Sequence, residues 1–487
     1  MVSMINFRII SKILGSLLFI EAMFMACCLL MAISYGESDV YAFLISTLLT
    51  FGGAFVLRFL GGDTYSSLSR RDGYVVVTLT WVVFSFFGMF PFIFHGSLAN
   101  VTDAYFETMS GFTTTGATVI DDVESLPHGL LFWRSLMQWI GGLGIVFFTI
   151  AVLPSMVGGS VKVFAAEATG PIRTKMHPKL STSAKWIWSI YVLLTVTCAL
   201  SFWAAGMDWF DAVNYSMSTT ATGGFSTHNG TIFLASPLIE YLAILFQFLA
   251  GINFTMLYML LFKFRFRHFL QNSEFKFYVA SIVVATLWIM ILLLMRMDYD
   301  VETAFRSSLF QVVSFITTTG LSNTDAGAWP TMTWMILGLL MFIGACAGST
   351  TGGFKSVRAM MLIKSIRNEF RRILHPNAVL PVKVNGQNLS QSRLVTLLAF
   401  FSLYIIMLFI TLVIMVVSGI DVTNSFTISL SLISNVGAGL DTNIGPQMSW
   451  ADLSIGIKWL CSFLMLVGRL EIMTVLVLFT RSFWKEN

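Results

Sequence analysis

Ten stretches of this chain are apolar over about 20 residues each, the length a helix needs to cross the hydrocarbon core of a bilayer. They lie near 13–33, 41–60, 74–96, 129–157, 186–206, 237–262, 277–296, 332–363, 394–418 and 453–480. Composition agrees with a membrane solvent. Of 487 residues, 56% are hydrophobic and only 11% charged, against roughly 25% charged in an average soluble protein. Too few charges are present to cover a water-facing surface. The pattern predicts an all-α polytopic membrane protein.

The first stretch, Ile13 to Ile33, is longer than the roughly 7–15 residues of a signal-peptide core and lacks a clear cleavage motif. It is expected to be retained as a helix. The five cysteines, Cys27, Cys28, Cys198, Cys346 and Cys461, all fall in apolar segments. They read as small hydrophobes rather than as a disulfide framework or metal site.

Lys and Arg accumulate in cytoplasmic loops. With the N-terminus inside, 24 of the 29 fall at inner positions, leaving Arg134, Arg296, Arg306, Lys458 and Arg469. The opposite orientation reverses that balance, so both termini are expected to be cytoplasmic. Acidic residues including Asp103, Asp121, Asp122, Glu124, Asp211 and Asp421 then face outward. Such a face concentrates cations, although exclusion of basic residues accounts for much of the asymmetry too.

After two helices within 1–72, one unit recurs four times, over 73–160, 161–270, 271–375 and 376–487: apolar span, short amphipathic segment, Gly-containing polar stretch, apolar span. The polar stretches align on a glycine as Thr113-Thr114-Thr115-Gly116, Thr220-Ala221-Thr222-Gly223, Thr317-Thr318-Thr319-Gly320 and Ser434-Asn435-Val436-Gly437. Six residues earlier stand Ser110, Met217, Ser314 and Ser431. One such motif is an ordinary polar turn. Four in register between spans are a repeat.

The amphipathic segments are too short to span, and non-helical backbone at membrane depth must be buried in protein or line water. Half-helices entering from outside, capped by Asp103, Asp211 and Asp421, and returning as extended chain meet both conditions. Their C-terminal dipole ends favour a cation, and four extended strands offer carbonyl oxygens in place of its hydration shell. The expectation is four pseudo-symmetric helix–pore-loop–helix repeats around one central pore.

This pattern resembles the Trk/Ktr/HKT superfamily of cation transporters, specifically the pore subunit of bacterial Trk-type potassium uptake systems. The likeness covers essentially the whole chain. It includes the Thr113–Val123 run, Gly223–His228 (GGFSTH) and Gly468–Glu471 (GRLE). In that superfamily a glycine at all four filter positions goes with K⁺, and serine in the first with Na⁺. Gly116, Gly223, Gly320 and Gly437 therefore imply K⁺ as the transported ion, contacted by Thr114, Thr115, Ala221, Thr222, Thr318, Thr319, Asn435 and Val436 beside those glycines. The degenerate second and fourth motifs leave a Na⁺-permeable transporter of the same fold as an alternative.

The third repeat's second helix is interrupted by Gly344–Gly353. Gly348, Ser349, Thr350, Thr351, Gly352 and Gly353 nearly match a phosphate-binding loop. Phe354 stands at the lysine position and no strand precedes it, which excludes that reading. The resemblance implies an intramembrane gating loop, with Arg469 beneath the filter as an electrostatic barrier. A charge inside an apolar helix normally faces a cavity or a partner. A purely structural contact of Arg469 with Glu471 or with backbone is the competing reading.

The resemblance also implies a homodimer in the bacterial inner membrane and a cytoplasmic ring of nucleotide-binding regulatory subunits. The basic stretches 158–185 and 364–393 carry no nucleotide fingerprint themselves, and they also suit anionic lipid. No bound nucleotide, nucleic-acid partner or enzyme chemistry is expected on this chain, because no metal cluster or nucleophile–base motif appears in the spans. A secondary transporter with inverted repeats is the rival class. Channel-like flux and ion-coupled symport are not separated by sequence. Glu21 is expected to pair with a neighbouring helix or lie at a subunit interface, and His228 to be a solvated loop residue. Asn253 either links helices or lines the cavity.

Overall fold

The computed structural model describes residues 5–62, 69–144, 180–230, 236–264, 266–378, 380–440 and 449–485. The basic stretch 158–185 and the ends of the filter-to-helix loops near 231–235 and 441–448 lie largely outside them.

Two long helices, Phe7–Tyr35 and Val40–Gly61, pair through a tight connection in which Gly36 adopts φ 67° and ends the first. The four repeats follow. Their outer helices are Arg70–Gly88 with Phe90–His95, Leu180–Ala204, Ser273–Arg296 and Gln391–Val417. Their short helices are Val101–Phe112, Trp209–Ala221, Val301–Ile316 and Val422–Ser434. Their inner helices begin at His128, Pro237, Thr331 and Ile455. A two-stranded hairpin, Lys383–Val384 with Gln387–Asn388, lies between the third and fourth repeats and was not expected from sequence.

Burial separates the layers. The outer helices expose large apolar side chains such as Val284, Ile291, Ile406 and Phe409. The short helices are buried almost throughout, including polar residues Thr108, Ser110 and Ser314. Apolar outside and polar inside is the reverse of a soluble fold and matches a lipid solvent. The chain is a multi-pass membrane protein.

The short helices start where backbone N–H groups meet a side-chain oxygen. Asp421 accepts from Thr423 N at 2.9 Å, as the sequence predicts. In the first two repeats the caps lie three residues earlier: Asn100 accepts from Thr102 N at 3.0 Å and Asp208 from Phe210 N at 2.9 Å. Asp103 and Asp211 instead sit in the first turn, where they still favour the helix dipole. Asp300 caps the third. Its hydrogen bonds to Thr303 hold its carboxyl below the ordinary range, and the Thr423 backbone N–H does the same for Asp421.

Sequence predicts one broken inner helix, and the described residues contain three. The second repeat bends by 104° between Pro237–Ala250 and Phe254–Leu261, and the fourth by 113° after Arg469. Each break has a local cause. Asn253 accepts from Thr255 N and starts a new helix, while Glu471 takes φ 64°. The third break runs from Gly344 to Lys355, both at positive φ. Backbone groups freed there find partners, as burial requires: Cys346 N donates to Gly251 O, Phe254 N to Gly348 O and Ser356 N to Ala345 O.

Candidate functional site

Each short helix ends in the same backbone sequence. A residue in the left-handed region comes first: Thr114 (φ 51°), Thr222 (φ 54°), Thr318 (φ 55°) and Asn435 (φ 56°). Three are β-branched threonines, for which that region is strained. The next N–H turns back to a serine carbonyl, from Thr115 to Ser110, Gly223 to Ser218, Thr319 to Ser314 and Val436 to Ser431, at 2.8–2.9 Å. A glycine at positive φ follows: Gly116, Gly224, Gly320 and Gly437.

This geometry shifts the second repeat by one residue from its sequence alignment. Gly224 (φ 85°), not Gly223, corresponds to the other three glycines. Gly223 takes the place of Thr115, and Ala221 belongs to the end of its helix. The shift replaces Met217 by Ser218, so all four repeats carry serine at the same point. That serine was the available signal in the sequence.

The four loops close into a ring. A methyl group on Gly116 would sit 2.2 Å from the Gly223 carbonyl oxygen, and one on Gly224 2.1 Å from that of Thr319. On Gly320 it would lie 2.1 Å from Val436 O, and on Gly437 2.0 Å from Thr115 O. Every loop thus presses its glycine on the carbonyl preceding the next loop's glycine, and the fourth returns to the first. No Cβ fits at any of the four. Above the ring, all four glycines open into a vestibule lined also by Asp121, Ser226, His228 and Trp450.

Charges left over by the orientation rule hold this ring in place. Arg134 Nε donates to Glu107 at 2.9 Å, and its Nη1 to Ser226 O at 2.8 Å, joining the first loop to the second. Glu107 also accepts from Thr118 and Val119 N. Lys458 Nζ donates to Asp103 at 2.6 Å, linking the fourth repeat to the first. Arg306 bonds Glu240 at 2.7 Å, which in turn accepts from Asn323 Nδ2 at 2.6 Å. His228 is not simply solvated. It lies 2.9 Å from Asp211 and 3.3 Å from Glu124, bridging two repeats at the vestibule rim.

Directly beneath, the Gly344–Lys355 loop touches the ends of three short helices. Gly352 N donates to Thr318 Oγ1 at 2.7 Å, Thr350 Oγ1 to Thr220 O at 3.2 Å, and a Cβ on Gly352 would sit 2.1 Å from Ser434 O. Ser349 and Thr351 pair with each other at 2.8 Å. Gly348 and Gly353 both take φ 75°. Arg469 Nη1 donates to Thr350 O at 2.7 Å, and Nη2 to Gly141 O and Gly142 O at 2.6 and 2.7 Å, bringing in the first repeat.

Sequence reading missed the roles of Lys355, Glu274 and Arg358 in this site, and left that of Asn253 open. Lys355 is buried at a positive φ with its ammonium on the Thr351 carbonyl. Glu274 accepts from Ala347 N at 2.6 Å, and Asn253 Nδ2 donates to Ala347 O at 2.6 Å, so Asn253 links elements. Glu471 pairs with Arg358 at 2.7 Å. Glu21 is buried within the chain, and among the described residues neither carboxyl oxygen has a hydrogen-bond partner.

The TrkH family, described as cation transport protein, matches residues 42–486. This chain belongs to the TrkH family. It is accordingly a membrane transport protein and not an enzyme. It is 35% identical to the Trk system potassium uptake protein TrkH of Halomonas elongata, across 99% of this chain and all of that one. It is likewise 35% identical to TrkH of Escherichia coli K12 over the same shares. The crystal structure of the potassium transporter TrkH from Vibrio parahaemolyticus superposes with a TM-score of 0.88 at 34% identity, covering 99% of this chain and 100% of that one.

Proposed function

We propose that this chain carries K⁺ into a bacterial cell across the cytoplasmic membrane, with both termini inside. The observation that carries the reading is the closed ring of four glycines, each packed on the next repeat's carbonyl. The filter residues in this reading are Thr114, Thr115 and Gly116; Thr222, Gly223 and Gly224; Thr318, Thr319 and Gly320; and Asn435, Val436 and Gly437. Carbonyls held at fixed separation replace a hydration shell. The same reading divides the chain into two N-terminal helices, 1–72, and four repeats over 73–160, 161–270, 271–375 and 376–487.

The loop from Gly348 to Gly353 acts as the gate, and Arg469 is both its clasp and a positive barrier under the ring. It donates to backbone carbonyls of two other repeats, which fits a clasp, and its charge repels a passing cation. The pore subunit works as a homodimer beneath which a ring of nucleotide-binding subunits sits. These assembly features rest on the likeness to Trk systems.

Reconstituted liposomes loaded with K⁺, Rb⁺ or Na⁺, with and without imposed Na⁺ and H⁺ gradients, test the proposal. K⁺ and Rb⁺ flux well above Na⁺ is expected, and gradient dependence separates symport from channel-like flux. Absence of K⁺ flux from folded protein, or currents driven by organic solutes, would sink it.

A further inference from the structure

We propose that Asn435 is the positioning residue that closes the ring and sets its preference for K⁺ over Na⁺, a role that rests on the filter reading above. The four left-handed positions are not alike. Thr318 Oγ1 accepts from Gly352 N at 2.7 Å, and Thr222 Oγ1 lies 3.4 Å from Thr350 Oγ1, both engaging the loop below. Asn435 engages a neighbouring repeat instead. Its Nδ2 donates to Thr115 Oγ1 at 3.0 Å and to Met465 O at 2.8 Å.

That amide spans the seam between the fourth repeat and the first, where a single chain must bring its last loop back to its earliest one. It is fully buried, and Gly437 two residues on is packed against the Thr115 carbonyl. Thr115 Oγ1 in turn lies 2.8 Å from Thr113 Oγ1, extending the latch to the end of the first short helix. The acceptor at Met465 is a carbonyl, so the amide nitrogen must face it. A threonine hydroxyl carries one proton and cannot serve both acceptors. An ionised aspartate has none, and would set its oxygen against the Met465 carbonyl.

A ring discriminates against a smaller cation when its carbonyls cannot close in on it. The Asn435 latch holds the fourth strand at its distance from the first, and without it that strand is free to move inward. The loss of one buried latch corresponds to roughly a fivefold change in an equilibrium, and the K⁺:Na⁺ flux ratio is expected to fall by about that factor or more.

The test measures K⁺ and Na⁺ flux in proteoliposomes for wild type, Asn435→Thr, Asn435→Asp, Thr115→Val, the double variant Asn435→Thr/Thr115→Val and Gly437→Ala. Reduced ratios are expected in the Asn435 variants and in Thr115→Val, with the double variant Asn435→Thr/Thr115→Val no worse than either single. A merely structural role would lower yield and melting temperature and leave the ratio alone. Wild-type ratios in folded Thr115→Val overturn the inference even if the Asn435 variants do not fold. If Gly437→Ala alters the ratio while the latch variants do not, only the latch fails. If wild type moves no K⁺, or Gly437→Ala changes nothing, the filter reading fails and the latch with it.

Discussion

Arg469 Nη1 donates to the Thr350 carbonyl at 2.7 Å, so the end of one broken helix holds the loop that breaks another. The same guanidinium reaches the carbonyls of Gly141 and Gly142 in the first repeat. One side chain therefore joins three repeats below the ring, and moving it must move the loop.

Replacing Arg469 by Ala is expected to raise K⁺ flux. Like unit charges repel by about 4 kcal/mol at about 4 Å and an effective dielectric near 20, and by less at longer range, so the increase should be at least about tenfold. Flux assays on variants matched for membrane expression check this. Unchanged flux would leave Arg469 a structural clasp only.

The register of the second repeat makes adjacent glycines unequal. Gly224→Ala forces a positive φ on alanine and puts its methyl 2.1 Å from Thr319 O, a backbone atom. Gly223→Ala meets the Gln138 side chain first, at 2.4 Å, without a positive φ. Transport should be abolished in the first and reduced in the second. Equal loss in both would return the register to Gly223.

The Glu107–Arg134 pair is buried at both ends. Glu107→Ala leaves the guanidinium without its carboxylate, and breaking such a pair costs about 3–5 kcal/mol. A clear drop in the melting temperature of detergent-purified protein is expected. Lys458→Met, which frees the more accessible Asp103, should cost less. A melting temperature for Glu107→Ala equal to wild type would contradict this account.

Asp300 and Asp421 cap short helices with carboxyls held below the ordinary range. A depressed pKa contributes stability above the unfolded value of about 3.9, lost as pH falls through the folded one. The stability difference between wild type and Asp421→Ala should therefore stay constant at neutral pH and shrink below about pH 4. Asp421→Asn, which keeps a capping oxygen, should remain near wild type. Thermal melts across pH test both, and a difference that persists undiminished in acid would exclude the capping role.

The sequence by itself determined the solvent and the fourfold recurrence, because bilayer thickness and backbone hydrogen bonding act locally on each segment. It also made the Gly344–Gly353 break legible, since polar glycine-rich chain cannot continue an apolar helix. The breaks at Asn253 and Glu471 were hidden by apolar flanks on either side. Tertiary structure decided between Gly223 and Gly224, which are adjacent and chemically identical; in the sequence only the recurrent serine, Ser218 here, points to the second. What separates them is a carbonyl from Thr319, nearly a hundred residues away, that occupies the space of a side chain on one and not the other. The same holds for Arg134, Lys458 and Arg306: their charge was visible in the chain, and only packing between repeats supplied Glu107, Asp103 and Glu240 as partners.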